Sequence, residues 1–143
     1  MADPDGIDPV RLRARSLEDL SVLSALLQDA VVPIGDIAYL AEEQSFVLVV
    51  SRYCWECGGE ETGMRVLAGL RFDQVHRAGF RGIDRRNRNQ FLELLSVNYA
   101  ERLVAMHFAG GGVIKLDVAE LTVALEDLDE PRPTTFQPRH EES

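Results

Sequence analysis

Residues 16–32, SLEDLSVLSALLQDAVV, decide how the chain is read. At about 100° per residue, Leu20, Leu23, Leu26, Leu27, Ala30 and Val31 fall within one arc, with Leu17 at its margin. Glu18, Ser21, Gln28 and Asp29 fall on the opposite side. The pattern predicts an amphipathic helix of about four and a half turns, wide enough on its apolar side to cover a sheet. Ser16 is a capping residue, with Asp19 three positions later in a capping-box arrangement. Glu18 and Asp19 suit the positive end of the helix dipole. Pro33 forces the residue before it out of helical geometry and is expected to end the run.

Outward from this helix, the chain reads as strands. Val10, Leu12 and Ala14 alternate with Arg11, Arg13 and Arg15, a short strand feeding the helix through Ser16. Beyond Pro33 and Gly35, residues 37–40 and 46–55 form the two strands of a hairpin, turned at 41–44. Residues 46–50 are apolar without interruption, which predicts a strand covered on both faces in mid-sheet. Met64, Val66, Ala68, Leu70 and Phe72 alternate with polar or small residues, and the phase breaks at 73–74, as at a bulge or bend. Residues 78–83 continue after the break, and 84–89, DRRNRN, form a loop. Residues 91–100 suit helix and strand equally. Residues 103–108 and 113–118 read as a hairpin about Ala109, Gly110, Gly111 and Gly112, and 121–125 favour a strand, with helix as the alternative. Residues 34–130 contain no proline, as a continuous set of hydrogen-bonded strands requires.

The expected architecture is a single α+β domain over residues 10–128. Its mostly antiparallel sheet is strongly bent, or forms a small open barrel, and is covered by the one N-terminal amphipathic helix. Residues 1–9, with three Asp, read as a mobile tail, and 129–143, with three Pro, as an extended one. DPDGID near the start lacks the glycine and glutamate positions of a calcium loop.

Composition narrows the function classes. The chain of 143 residues is 45% hydrophobic and 27% charged, in the range of a soluble globular domain. No apolar run is long enough for a membrane span, and the acidic N-terminus is unlike a secretory signal, so the expected compartment is the cytoplasm, with no membrane partner. A net charge of −9 disfavours nucleic acid as a partner. Against that background, residues 71–88 carry six Arg and two Asp, a local +4.

Two motifs invite chemistry and decline it. Cys54-Trp55-Glu56-Cys57 has thioredoxin-like spacing but leads into GGEETG, which cannot form the helix that lowers a thiol pKa. As metal ligands Cys54 and Cys57 are weak candidates, because zinc asks for four donors and His76, His107 and His140 are scattered. The expectation is that the two cysteines end a strand, with Trp55 packed between them, and that there is no metal and no cofactor. Gly110-Gly111-Gly112 precedes a strand rather than a helix, so it is a turn and not a phosphate cradle.

No catalytic constellation is visible, and whether the protein is an enzyme is left open, leaning against. The binding candidates are Arg71, Asp73, His76, Arg77, Arg81 and Arg85, with Arg86 and Arg88 in the following loop. Once a bulge realigns the register, Arg77 and Arg81 share a face, and guanidinium forks match carboxylate or phosphate. The plainer expectation for this ridge is a solvated strand face paired with the acidic segment 117–130. The leading functional expectation is a non-enzymatic module that binds an as yet unknown protein through a strand edge or the arginine ridge. A homodimer is compatible with it. The alternative is a small-molecule binder or enzyme with a pocket in the bent sheet near Arg71, Asp73 and His76, and RNA binding through 77–88 comes last.

Several stretches together, LEDLSVLSALLQDAVVPIGDIAYL, RYCWE, GLRFDQVHRAGFRGIDR, FAGGGVIKLDV and LEDLDEPRPT, carry a resemblance. The chain resembles a family of short uncharacterised alphaproteobacterial proteins, a domain of unknown function, over about residues 10–140, with GDIAYL and FAGGG the most specific stretches. The resemblance implies a bacterial cytoplasmic single-domain protein and supplies no activity, cofactor or site residue.

Overall fold

The computed structural model describes residues 9–58 and 61–133. Its α-helix, α1 (Leu17–Leu26), starts as the sequence predicts: Ser16 is extended at φ −133°, and its Oγ accepts a hydrogen bond from the Asp19 amide at 3.1 Å. It ends early. Asp29 takes a left-handed φ of 65°, and residues expected as the last helical turn become strand β2 (Ala30–Pro33). The reason is tertiary. Ala30 and Val32 are buried as alternate residues of a strand paired antiparallel with β7 (Phe91–Ala100), from Ala30 opposite Leu94 to Pro33 opposite Phe91. Two adjacent β-branched residues with a waiting strand partner override a weak helical spacing.

The remaining strands are β1 (Arg11–Ala14), β3 (Ile37–Leu40), β4 (Ser45–Tyr53), β5 (Met64–Phe72), β6 (Val75–Arg81), β8 (Leu103–Phe108), β9 (Val113–Val118), β10 (Val123–Asp127) and β11 (Arg132–Pro133). They form one open antiparallel sheet in the order β1-β10-β5-β4-β2-β7-β8-β9-β6, with β3 paired to β4 and β11 to β5. No ladder joins the two ends among the described residues, so the sheet does not close. The remainder of the two tails expected from the sequence, residues 1–8 and 134–143, lies outside the described residues.

The β3–β4 hairpin turns through Gln44 at φ 56°, and the β8–β9 hairpin through Gly110 and Gly111, both at positive φ. β4 is central, as its apolar run suggests: β5 flanks it along 46–53, with β3 and β2 on its other side. Its two faces differ, however. Phe46, Leu48 and Val50 are buried, whereas Val47 and Val49 are only half-buried, so the outer face lacks the full cover expected.

The phase break at 73–74 is a corner. Gln74 sits at φ 59°, the register slips between Val75 and Arg77, and β6 runs off to pair with β9. Residues 91–100 resolve as strand. A slip between Leu94 and Ser96 leaves Leu95 as the extra residue, which is why two adjacent leucines mimicked a helix turn. The core joins Leu20, Leu23 and Leu27 to inward residues of β4, β5 and β7 to β10. Ser24 of α1 accepts a hydrogen bond from the Val97 amide of β7 at 3.1 Å, anchoring the helix to the sheet.

Candidate functional site

The sequence candidates separate into two groups. Arg71 and Asp73 converge at the end of β5 with a residue that sequence reasoning missed, Ser45. The β4–β5 register places Val47 opposite Arg71 and Phe46 opposite Phe72, which brings Ser45 beside Asp73. The Arg71 Nε donates to Asp73 Oδ1 at 2.8 Å and its second nitrogen to Ser45 Oγ at 2.9 Å; Ser45 Oγ in turn donates to Asp73 Oδ1 at 2.7 Å. Glu43 stands 3.6 Å from the same guanidinium. The hydrogen bond to Asp73 moves Arg71 further above its ordinary range. Burial pushes the Asp73 carboxyl up, but hydrogen bonds from Arg71 and Ser45 outweigh it and hold the group below the usual range.

His76 is not brought to this cluster. It is exposed on β6, beyond the corner at Gln74, with no hydrogen bond or ion pair among the described residues. The second group follows along β6 and the loop after it. Arg77 donates to Asp117 Oδ2 at 2.8 Å, directly across the β6–β9 ladder. Past the slip, Arg77, Gly79 and Arg81 alternate on one exposed face, and Arg81 has no ion pair among the described residues. Arg85 lies 4.3 Å over the Phe80 ring, a cation–π contact. Arg86 pairs with Asp84, and Arg88 donates to the Gly35 carbonyl at 3.0 Å.

Phe80 and Arg85 line a groove of about 170 Å³ together with Ile34, Ile37, Tyr39 and Arg88. It runs between β3 and β6, each paired on one side only. The two strands touch at one end, where Tyr39 OH donates to the Val75 carbonyl at 2.8 Å, and beside it the Val75 amide donates to the carbonyl of Gln44, in the β3–β4 turn, at 2.8 Å. The Phe46 ring fills the space beneath, 6.3 Å from Tyr39 and 6.0 Å from Phe80. Beyond that end the outward amides and carbonyls of β6 meet no backbone partner among the described residues. Gly79 sits in the middle of this edge. A Cβ there would meet nothing within 4 Å, and its backbone φ is not one that demands glycine.

Cys54 and Cys57 form a disulfide with each other, so their sulfurs are bonded and not disposed as ligands. This corrects the expectation of two cysteines that merely pack. Trp55 lies edge-on to Tyr53 with ring centroids 5.5 Å apart, rather than between the sulfurs. Among the described residues no three His, Cys, Asp or Glu side chains cluster as a metal site would require.

Beside the disulfide lies a cluster that the sequence reading did not single out. Arg52, fully buried, grips Glu56 with two nitrogens at 2.9 and 2.8 Å and Asp127 with two at 3.1 and 2.9 Å. Its remaining hydrogen bond goes to the Tyr53 carbonyl at 3.0 Å. Burial lowers the guanidinium pKa, but the bonds to Glu56 and Asp127 outweigh it and lock the charge in. The Arg52 bond in turn holds Glu56 below its usual range. Asp127 Oδ2 also accepts from the Val10 amide at 2.9 Å, so the cluster ties β4, β10 and the residue before β1 together. The signal was present: Phe46, Leu48, Val50 and Arg52 are alternate residues of one strand, and the alternation points Arg52 into the core.

No helix among the described residues is long and apolar enough to cross a membrane. Over residues 10–140 the chain matches the family described as "Protein of unknown function (DUF2948)", and it belongs to that family. It matches no curated protein and no solved structure.

Proposed function

We propose that the protein is a non-enzymatic interaction module whose contact surface is the free edge of β6 with Arg77, Arg81 and Arg85, and that its partner offers an extended acidic segment. The observation that carries this reading is the unpaired side of β6, which leaves backbone donors and acceptors open beside guanidiniums. Natural proteins blunt such edges or use them. Gly79 supports use. Neither conformation nor packing within the chain calls for glycine there, while a bare position between Arg77 and Arg81 leaves room for a neighbour's side chain. The groove toward β3 offers an apolar slot with Arg85 and Arg88 at its rim, suited to an apolar residue flanked by carboxylates.

The finer reading of the fold supports a curved surface. α1 lies against both β1 and β7, which are five steps apart in the sheet, about 24 Å if flat at about 4.8 Å per step. Contact of one ten-residue helix, about 15 Å long, with both strands fits a strongly bent sheet better than a flat one, and a small open barrel over residues 10–128 is the form we infer. The alternative pocket near Arg71, Asp73 and His76 has less support. Arg71, Asp73 and Ser45 satisfy one another, and His76 joins neither. We also propose a cytoplasmic location; reducing conditions there would open the Cys54–Cys57 bond, which thiol labelling in freshly lysed cells would detect.

The test is an NMR titration of the full chain with two extended pentapeptides, one alternating glutamate with valine and the other arginine with valine. Backbone amides of β6 should shift with the acidic peptide, less so as salt is raised, and the doubly substituted Arg81→Glu, Arg85→Glu chain should lose the effect. Equal response to both peptides, or none at β6, refutes the reading.

A further inference from the structure

A second surface, distinct from the β6 edge, lies on the outer face of the sheet where β2, β4, β5 and β7 run side by side. The registers line up one row across four strands: Leu67 opposite Ser51, Ser51 opposite Val31, Val31 opposite Glu93. Val49 lies beside this row and Phe91 at its flank, opposite Pro33. Together they line a groove of about 380 Å³ with a mostly apolar floor. Leu67 is 45% and Phe91 54% exposed, and the apolar surface continues to Leu128, which is 56% exposed and lies over Gly69. A contiguous patch of this kind on a sheet face marks a docking surface rather than ordinary scatter of surface leucines.

The charges around the groove state what its occupant carries. The cation in its lining, Arg65, is already engaged: the guanidinium sits 4.0 Å over the Tyr53 ring and donates to the Ser51 carbonyl at 2.7 Å. The acids are not. Asp36 and Glu93 line the groove, and neither forms an ion pair among the described residues. Asp29 is held close by its own backbone, through the hydrogen bond from its amide to the Leu94 carbonyl at 2.8 Å. Burial and a hydrogen bond with the Asp29 carboxyl raise the Glu93 pKa, and the charge of Arg65 offsets this only in part. Burial is the larger cause and the neighbouring carboxyl adds to it, while neither carboxyl has an ion pair among the described residues.

We propose that this groove docks a segment of another protein that presents an apolar side chain next to an arginine or lysine. The apolar side chain would rest on Val31, Val49 and Leu67, between Phe91 and Arg65. The cation would reach Glu93, or Asp36 from the other wall, and supply the charge the groove lacks. A purely apolar occupant would leave the carboxyl pair facing a dry contact, and an acidic one would add repulsion to it.

The experiment follows the methyl groups of Val31, Val49 and Leu67 by NMR in the full chain, titrated with a pentapeptide alternating leucine with arginine and with one alternating leucine with glutamate. The basic peptide should shift these methyls and bind about tenfold more tightly than the acidic one. Glu93→Gln should remove most of that preference, and Leu67→Asn, at an exposed position that leaves the core intact, should weaken both peptides. Equal affinity for the two peptides, shifts confined to other surfaces, or a preference that survives Glu93→Gln overturns the proposal. Sedimentation of the free chain is the companion measurement, and a monomer is the expected result. A dimer that Leu67→Asn dissociates would make a second copy of this chain the occupant and overturn the proposal as well.

Discussion

Arg52 and Arg71 stand near opposite ends of the central β4–β5 pair, each held by two carboxylates, yet they do different work. Arg52 is fully buried, and the partner Asp127 side chain is 4% exposed. Arg71 keeps 47% of its side chain in water, and its partners Asp73 and Glu43 keep 37% and 61%. In the first place charge has been taken out of water and must be matched nitrogen by oxygen, so the cluster fixes which segments meet. In the second, solvent screens the same chemistry and little depends on it. The arginines of β6 and its following loop form a third situation, because Arg81 has no ion pair among the described residues and belongs to a strand whose outer edge is also unpaired. The lesson is that an arginine's role follows from how completely its partners satisfy it.

The largest expected effect comes from emptying the buried cluster. Arg52→Met should destabilise the fold by about 3–5 kcal/mol, because it strands Asp127 without a counter-charge. Urea unfolding measures this. The double change Arg52→Met, Asp127→Leu should recover part of the loss, but not all, since Asp127 also holds the Val10 amide. A loss for Arg52→Met no larger than for a surface pair would break the comparison.

Next is the disulfide, which closes the turn that carries Glu56 to Arg52. Replacing both cysteines by serine should cost about 2 kcal/mol on loop-closure grounds. The loss should be smaller when Arg52 is already replaced, because the turn then no longer needs to present Glu56.

Acid titration sharpens the contrast further. Glu56 is held below its ordinary value near 4.5 by Arg52. Its stabilisation is therefore complete above the unfolded value and is lost as pH falls through the lower folded one. Glu93 has the opposite sign. Raised above 4.5 by burial and Asp29, it favours the folded state while protonated and disfavours it as pH rises through the raised value. Glu56→Gln should flatten the stability profile below about pH 4.5, and Glu93→Gln should remove a smaller decline above it. Melting temperature against pH, compared among the three chains, checks both.

The smallest effect belongs to Arg71. Arg71→Ala should cost about 1 kcal/mol or less, because an exposed pair contributes little even with good geometry. A loss matching that of Arg52→Met would mean that exposure does not separate the two clusters.

Much of this arrangement is legible in the sequence alone. Alternation locates the strands and the corner at Gln74, and the Ser16 cap marks the helix start. The helix end is not legible, because Ala30 and Val31 fit an apolar arc and a strand equally, and only the presence of β7 decides between them. Residues 91–100 are ambiguous for a local reason, the slip at Leu95, which breaks period two without leaving a turn residue behind. The Arg71–Asp73 contact lies within reach of sequence spacing, whereas Ser45 joins it through strand pairing 26 residues away. Glu93 and Asp29 meet in the same way, across β2 and β7, and neither is marked by a motif.

Hydrogen exchange at the amides of β6 reaches the central claim, that the arginine-flanked edge receives an acidic strand. In the free chain, the amides of residues 77–81 that do not face β9 should exchange within the experimental dead time, while those bonded to β9 are protected. Adding the glutamate–valine peptide should slow the outward amides, and the arginine–valine peptide should leave them unchanged. Outward amides already protected in the free chain, or indifferent to the acidic peptide at saturating concentration, would contradict the account.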